Sequence, residues 1–299
     1  MTPVAEPQRW WASGGTVATP CSATGVRSHR VFTRIEGRGP WLTFLHGFPT
    51  SSFDFAAVVD GLRDTHRTLC LDLIGFGDSD RPLDHVYSVE EQADAVETVW
   101  AEYGVGETDV VAHDYGDSVL QELLWRRSQR DADQGARLRS AVLANGGIYP
   151  DLHRPQPAQL ALLDPEQGPA LSAAIDEATL ATVLVPTFAA GRAPTGAGLH
   201  ALWQVLERGG GPRNLHLVIH YIDDRRRREH DWVSALEGAD IPLGFVWGMR
   251  DPISGAHIAE RIVERFPTAT TRLLDDVGHW PPLEAPGEVV ATVREVAGP

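Results

Sequence analysis

Strand-like and helix-like segments alternate along the first 147 residues of this chain. Short apolar runs that end in a turn, such as 41–47 and 67–75, alternate with segments that have the apolar spacing of a helix, such as 55–64 and 88–104. The same rhythm resumes at residue 241. This alternation predicts an α/β fold, in which helices cover both faces of a mostly parallel sheet.

The stretch between these two parts has a different pattern. Residues 148–238 contain few strand-like runs, and Pro and Gly interrupt segments with helical spacing. We therefore expect a core domain in two pieces, residues 1–147 and 239–299, with a helical cap at 148–238 between them. Residues 1–28 are irregular and are expected to form an edge strand or an arm that covers the core.

Charge and apolar content restrict the partners of such a chain. The formal charge is −15 at pH 7, and a surface of this sign repels nucleic acid and anionic membranes. No apolar run approaches the roughly 18 residues of a membrane span, and the N-terminus does not resemble a signal peptide. Two cysteines, Cys21 and Cys70, are expected to be buried free thiols. We expect a cytoplasmic protein without a nucleic-acid or membrane partner.

Asp114 stands at the end of a strand-like run, where the chain turns into a helix. In a nucleophile elbow, small residues lie two positions before and two after the reactive residue, because strand and helix pack closely there. For Asp114 these residues are Ala112 and Gly116, whereas a motif centred on Ser118 would put a bulky leucine in one position. We therefore predict Asp114 as the nucleophile and assign Asp117 and Ser118 to the helix behind it.

Other strand ends carry groups that can assist a nucleophile. Asp251 follows an apolar strand candidate, and His279 lies on the loop after the last strand. A carboxylate can orient a histidine, which then acts as a general base. We expect the backbone N–H groups of Phe48, in the loop after the strand at 41–45, and of Tyr115 to bind a developing oxyanion.

Several motifs together resemble the α/β-hydrolase superfamily over nearly the whole chain. They are the turn at Asp114 and the runs HGFPTSS, LDLIGFGDSDRP, WGMRDP and GHWPPLEAP. The order of Asp114, Asp251 and His279 is the nucleophile–acid–base order of these enzymes. Within the superfamily, the chain looks most like the mesoderm-specific transcript protein family, on the runs HGFPTSSFD, GFGDSDRP, AHDYGDSVLQELL, NGGIYPDLHRP and YIDDRRRREHDWVSAL. That family is usually grouped with epoxide hydrolases and haloalkane dehalogenases.

An aspartate nucleophile predicts a different reaction from a serine nucleophile. A carboxylate is ionised at pH 7 and can attack a saturated carbon that bears a leaving group, which gives an alkyl-enzyme ester. His279 would then activate the water that hydrolyses this ester. We expect a small apolar electrophile as substrate, water as the second reactant, no cofactor and no metal ion.

Side chains near the nucleophile favour one leaving group over another. The resemblance to epoxide hydrolases implies cap tyrosines that donate a proton to the epoxide oxygen. Tyr221 is the main candidate, Tyr149 a second one, and Trp203 a candidate wall residue. Haloalkane dehalogenases usually have Trp after the nucleophile, where this chain has Tyr115, and often a donor where it has Phe48. Epoxide hydrolysis to a vicinal diol is therefore favoured, with haloalkane dehalogenation or a non-catalytic binding protein as alternatives.

The cap also contains a charged run, DDRRRREHD, at residues 223–231. Opposite charges three or four residues apart pair on the surface of a helix. We interpret the run as a solvated helix face, with the binding of an anionic substrate as the alternative.

Overall fold

Eight strands form one sheet in a computed structural model that describes residues 6–20, 28–131 and 134–298. They are β1 (Gly15–Pro20), β2 (Ser28–Gly37), β3 (Trp41–Leu45), β4 (Arg67–Leu71), β5 (Glu107–His113), β6 (Arg137–Ala144), β7 (Leu243–Gly248) and β8 (Thr270–Leu274). Their order in the sheet is β1-β2-β4-β3-β5-β6-β7-β8. Strands β3 to β8 are parallel, whereas β2 is antiparallel to β4 and β1 to β2.

Helices follow most strands and fill the segment between β6 and β7. Before β6 they are α1 (Pro7–Ala12), α2 (Ala56–Leu62), α3 (Val89–Glu102) and α4 (Tyr115–Gln129). Between β6 and β7 they are α5 (Pro157–Leu163), α6 (Gly168–Ala174), α7 (Glu177–Leu184), α8 (Ala197–Glu207), α9 (Leu215–Val218), α10 (Tyr221–Arg227) and α11 (Glu229–Glu237). After β7 they are α12 (Ala256–Arg265), α13 (Pro281–Glu284) and α14 (Pro286–Ala297).

Both faces of the sheet are buried. In β5, Val110 and Ala112 belong to one apolar cluster, and Val111 belongs to a second one. Because alternate residues of a strand point to opposite faces, each face has its own core. Helices α3 and α4 contribute to the first core, and α2 and α14 contribute to the second. This is the arrangement expected for continuous apolar strands in a parallel sheet.

The predicted α/β class is therefore confirmed. Part of the N-terminal segment forms the edge strand β1, which is one of the two forms expected for residues 1–28. Cys70 is a buried free thiol, as predicted, and Cys21 lies outside the described residues.

The segment between β6 and β7 contains helices and turns but no strand, and the structure describes all of it. We keep residues 148–238 as the proposed extent of the cap. Among the described residues, no single helix has both the length and the apolar content of a membrane span. Helix α6 and residues 177–187 have the required length and apolar content only when they are taken together, and the two segments are bent by 111° relative to each other.

Candidate active site

Asp114 occupies the sharp turn between β5 and α4. Its φ of 48° and ψ of −102° define a backbone conformation that a residue other than glycine rarely adopts. The turn is tight, because a Cβ atom on Gly116 would clash with the carbonyl oxygen of Leu45 in β3. Backbone strain of this kind is frequent at reactive residues. Asp117 and Ser118 lie in the first turns of α4, as predicted.

The Asp114 carboxylate is buried and faces the predicted oxyanion donors. The N–H of Phe48 donates to Asp114 Oδ2 at 3.1 Å. Tyr115 begins α4, where the first N–H groups have no partner inside the helix. Both N–H groups can therefore stabilise negative charge that develops on Asp114.

His279 is held beside Asp114 by a second carboxylate. Its Nδ1 lies 2.8 Å from Asp251 Oδ2, and its Nε2 lies 4.0 Å from Asp114 Oδ2. Asp251 is fixed in turn, because its Oδ2 accepts from Asn145 Nδ2 at 2.9 Å and its Oδ1 accepts from the N–H of Ile253 at 2.7 Å. A carboxylate on Nδ1 leaves Nε2 to accept a proton on the side of Asp114. The structure thus brings the three predicted residues together.

Neighbouring charges determine the protonation states of this group. Burial opposes ionisation of Asp114, but Arg225 and His279 hold the pKa of its carboxyl below the ordinary value. Burial also opposes protonation of His279, but Asp251 and Asp114 raise the pKa of its imidazole above the ordinary value. Asp114 is therefore ionised at neutral pH, and His279 loses its basic form at a higher pH than an ordinary histidine does.

We predict that kcat falls with decreasing pH through an apparent pKa above 6.5, the ordinary value for histidine. In Asp251→Asn the carboxylate beside His279 is lost, so the pH at which kcat falls to half its maximum should move to a lower value. The maximal kcat should fall on the order of 10²- to 10⁴-fold, because the imidazole is no longer oriented. The check is a pH profile of kcat, with the exposed Asp275→Asn as control. An unchanged midpoint in Asp251→Asn would contradict the proposed coupling.

Arg225 reaches Asp114 from α10 and was not among the predicted site residues. Its side chain is only 1% exposed. Its Nη2 donates to the carbonyl oxygen of Asp114 at 2.7 Å and lies 3.3 Å from Oδ1, and its Nε donates to Ser118 Oγ at 2.6 Å. The interpretation of residues 223–231 as a solvated face is therefore wrong at Arg225, although the two following arginines are exposed.

Helical spacing could have identified Arg225 from the sequence. It stands four residues after Tyr221, and residues i and i+4 share one face of a helix. In the structure, the guanidinium carbon lies 4.6 Å from the centre of the Tyr221 ring. The guanidinium also needs a glycine beside it, because a Cβ atom on Gly147 would come within 2.7 Å of Arg225 Nη1.

We predict that Arg225→Gln lowers the free energy of unfolding by about 3 kcal/mol or more, because the buried Asp114 carboxylate loses its countercharge. The matched control is Arg226→Gln on the exposed face of the same helix, for which a change within about 0.5 kcal/mol is expected. Urea denaturation at equilibrium measures both values. Equal losses in the two variants would show that Arg225 does not support the elbow.

Tyr221 is the one predicted cap residue that the structure brings to the site. Its ring centre lies 4.7 Å from that of Tyr115 and 5.8 Å from that of Phe48. Its hydroxyl lies 3.4 Å from Gln159 Nε2. Burial and the Asp114 charge raise the pKa of the Tyr221 phenol, which therefore keeps its proton at neutral pH.

Tyr149 and Trp203 do not reach Asp114. The hydroxyl of Tyr149 donates to Glu237 Oε1 at 3.1 Å, and the Arg261 guanidinium lies over its ring at 4.7 Å. These contacts hold the phenol between α11 and α12. Trp203 is half-buried in α8 and packs against the apolar core. The expectation that these two side chains line the site is therefore corrected.

A cavity of about 270 Å³ lies between Asp114 and the cap. Asp114, Phe48 and His279 line one side of it. Most of the remaining lining is apolar and comes from α5, α6 and α7, with Leu162, Leu171, Ile175, Leu180, Val183 and Leu184. The volume equals that of roughly nine water molecules in the liquid. A small apolar ligand suits such a cavity.

Comparisons with known proteins agree with this fold. Residues 44–293 match the alpha/beta hydrolase family. The chain is 36% identical to the mesoderm-specific transcript protein of Mus musculus, over 84% of this chain and 77% of that protein. It is also 36% identical to the putative hydrolase LipZ of Mycobacterium tuberculosis (strain ATCC 25618 / H37Rv), over 93% of each chain.

A solved structure with the same fold is that of the haloalkane dehalogenase DbeA from Bradyrhizobium elkani USDA94. The TM-score is 0.77 at 20% sequence identity, and the match covers 96% of this chain and 98% of that chain. The chain therefore belongs to the alpha/beta hydrolase family, in the group that contains the mesoderm-specific transcript proteins.

Proposed function

We propose that this protein hydrolyses a small apolar epoxide to a vicinal diol through an alkyl-enzyme ester on Asp114. The observation that carries the proposal is an aspartate at the elbow, with the Phe48 N–H on its Oδ2 and the His279–Asp251 pair beside it. A carboxylate in this position can attack a saturated carbon without activation by a base.

In the proposed first step, Asp114 attacks a ring carbon of the epoxide. Oδ2 accepts the Phe48 N–H and would become the ester carbonyl oxygen, so we assign the attack to Oδ1, which lies 3.3 Å from Arg225 Nη2. The bond between this carbon and the epoxide oxygen breaks as the new ester bond forms. The epoxide oxygen takes a proton from the Tyr221 phenol, and the amide of Gln159, 3.4 Å from the phenol oxygen, is placed as a second hydrogen-bond donor.

In the second step, His279 takes a proton from a water molecule, and the resulting hydroxide attacks the ester carbonyl of Asp114. The N–H groups of Phe48 and Tyr115 stabilise the tetrahedral oxyanion. The ester bond then breaks, the leaving alkoxide takes the remaining proton of the water from the new carboxyl group, and the diol departs with the Asp114 oxygen that had attacked the substrate. The proton on His279 returns through solvent to the Tyr221 phenolate. The oxygen from water remains in the Asp114 carboxylate.

Contacts of the aromatic residues support an epoxide rather than a halide as the leaving group. Haloalkane dehalogenases of this fold usually have a tryptophan after the nucleophile, whose indole N–H binds the departing halide. Trp280 lines the cavity, but its indole N–H donates to Thr187 Oγ1 at 2.7 Å. The ring of Tyr115 packs between Phe76 and Tyr221, at 5.6 Å and 4.7 Å from their centres.

We predict that Tyr221→Phe lowers kcat for an epoxide substrate about 10²-fold or more, because the epoxide oxygen loses its proton donor. Tyr149→Phe is the matched control, since it removes a hydroxyl that donates to Glu237, and its kcat should stay close to the wild-type value. The measurement is steady-state diol formation. Wild-type rates in Tyr221→Phe would contradict the role of this phenol.

A substrate panel tests the reaction class. Purified protein is incubated with alkyl epoxides and with haloalkanes of matched chain length, and both diol and free halide are quantified. We expect diol from at least one epoxide and no halide. Halide release without diol would overturn the epoxide assignment in favour of dehalogenation. Turnover of neither class would favour a binding protein.

A further inference from the structure

Two histidines and a glutamate meet at a second place in the molecule. His29 lies in β2, His85 in the loop at residues 72–88, and Glu91 in the first turn of α3. One potential ligand atom from each residue lies within 4.8 Å of the other two. The three side chains are 7%, 6% and 3% exposed, respectively. None of them lines the cavity at Asp114.

Glu91 is central to this cluster. Its Oε2 lies 2.7 Å from His85 Nε2, and its Oε1 lies 3.9 Å from His29 Nε2. Oε1 is buried and accepts no hydrogen bond from a described residue. Burial of a carboxylate oxygen without a hydrogen-bond donor destabilises the folded protein unless a cation neutralises the charge.

Two imidazole nitrogens and one carboxylate oxygen form a donor set that Zn²⁺ uses in proteins. Its bonds to these atoms are about 2.0–2.2 Å long, which puts neighbouring donors roughly 3.4 Å apart in tetrahedral geometry. In the structure, one potential donor atom from each of the three residues lies within 4.8 Å of the other two. Small side-chain rotations would therefore complete the geometry, with water as the fourth ligand.

We propose, contrary to the expectation of no metal ion, that His29, His85 and Glu91 bind a Zn²⁺ ion. The site joins β2 and α3 to the loop at residues 72–88. This loop also contacts the cap, because Arg81 Nη1 donates to two cap carbonyl oxygens at 3.0 Å and 3.1 Å. The ion therefore stabilises the position of the cap on the core and takes no part in the reaction at Asp114.

Titration of the chelator-treated full chain with zinc chloride at neutral pH tests the proposal. Calorimetry should show one Zn²⁺ per chain, and the thermal unfolding midpoint should rise when the ion is added. Glu91→Gln and His85→Ala should each lose this binding. His200→Ala is the matched control that keeps it, because His200 lies 3.1 Å from Glu177 in an exposed pair.

A second measurement needs no variant and so does not depend on the folding of one. X-ray absorption of the zinc-loaded wild-type chain should show two imidazoles and oxygen donors in the first coordination shell. No saturable binding by the wild type, binding that persists in both ligand variants, or a shell with fewer than two imidazoles would each overturn the proposal.

Discussion

Replacement of Asp114 by asparagine is expected to abolish turnover while the protein remains folded. Asparagine keeps an oxygen that can accept the Phe48 N–H, and it tolerates positive φ better than most residues. Its neutral amide is a poor nucleophile. We therefore predict that kcat/KM falls by at least about 10⁴-fold, the scale on which removal of a nucleophile acts in triad hydrolases.

The matched control for this variant is Asp117→Asn. Asp117 is buried in α4 three residues after Asp114, and burial raises the pKa of its carboxyl well above the ordinary value. Because asparagine matches aspartate in size and burial disfavours a charge at this position, the substitution should have little effect on the rate. Substrate turnover and thermal unfolding are measured for both variants. An Asp114→Asn protein that is folded and retains wild-type turnover would exclude Asp114 as the nucleophile.

His279→Gln is expected to separate the two chemical steps. Attack by Asp114 needs no base, so the ester should still form, but the water that hydrolyses it is no longer activated. Turnover should fall on the order of 10³-fold, while one equivalent of substrate per chain is consumed rapidly. Intact-mass spectrometry should then detect a stable covalent adduct.

The mass of this adduct also distinguishes the leaving groups. An epoxide opens without losing an atom, so the chain should gain the whole mass of the substrate. A haloalkane would instead add only its alkyl group, because the halide departs. The double variant Asp114→Asn/His279→Gln should form neither adduct. A confirmed substrate that leaves no adduct on His279→Gln, or an adduct on another residue, would contradict the mechanism.

The core of the fold and the three residues at strand ends could be predicted because local patterns determine them. The apolar runs mark the strands, and residues that follow parallel strands at their carboxyl ends meet at one edge of the sheet. The small residues around Asp114, Ala112 and Gly116, predict the elbow from the sequence alone. Ser88 also caps α3 as its sequence context predicts, since its hydroxyl accepts from the N–H of Glu91 at 3.1 Å.

The cap side of the site was harder to predict, because it depends on how one helix packs against another element. Arg225 is one of four consecutive arginines. Its spacing from Tyr221 identifies it only when it is known that this face of the helix packs against the core. Tyr149 was predicted as the second proton-donor candidate after Tyr221, but its hydroxyl donates to Glu237 from α11. Asn145 supports Asp251 across the sheet, and no local sequence pattern links these two positions.

The most direct test of the central claim is a single turnover in water labelled with ¹⁸O, with wild-type enzyme in excess over a confirmed epoxide substrate. The ester mechanism transfers an unlabelled Asp114 oxygen to the first diol formed and leaves one labelled oxygen in the peptide that contains Asp114. Direct attack of water on the substrate would give labelled diol and an unlabelled peptide, and that result would contradict the account.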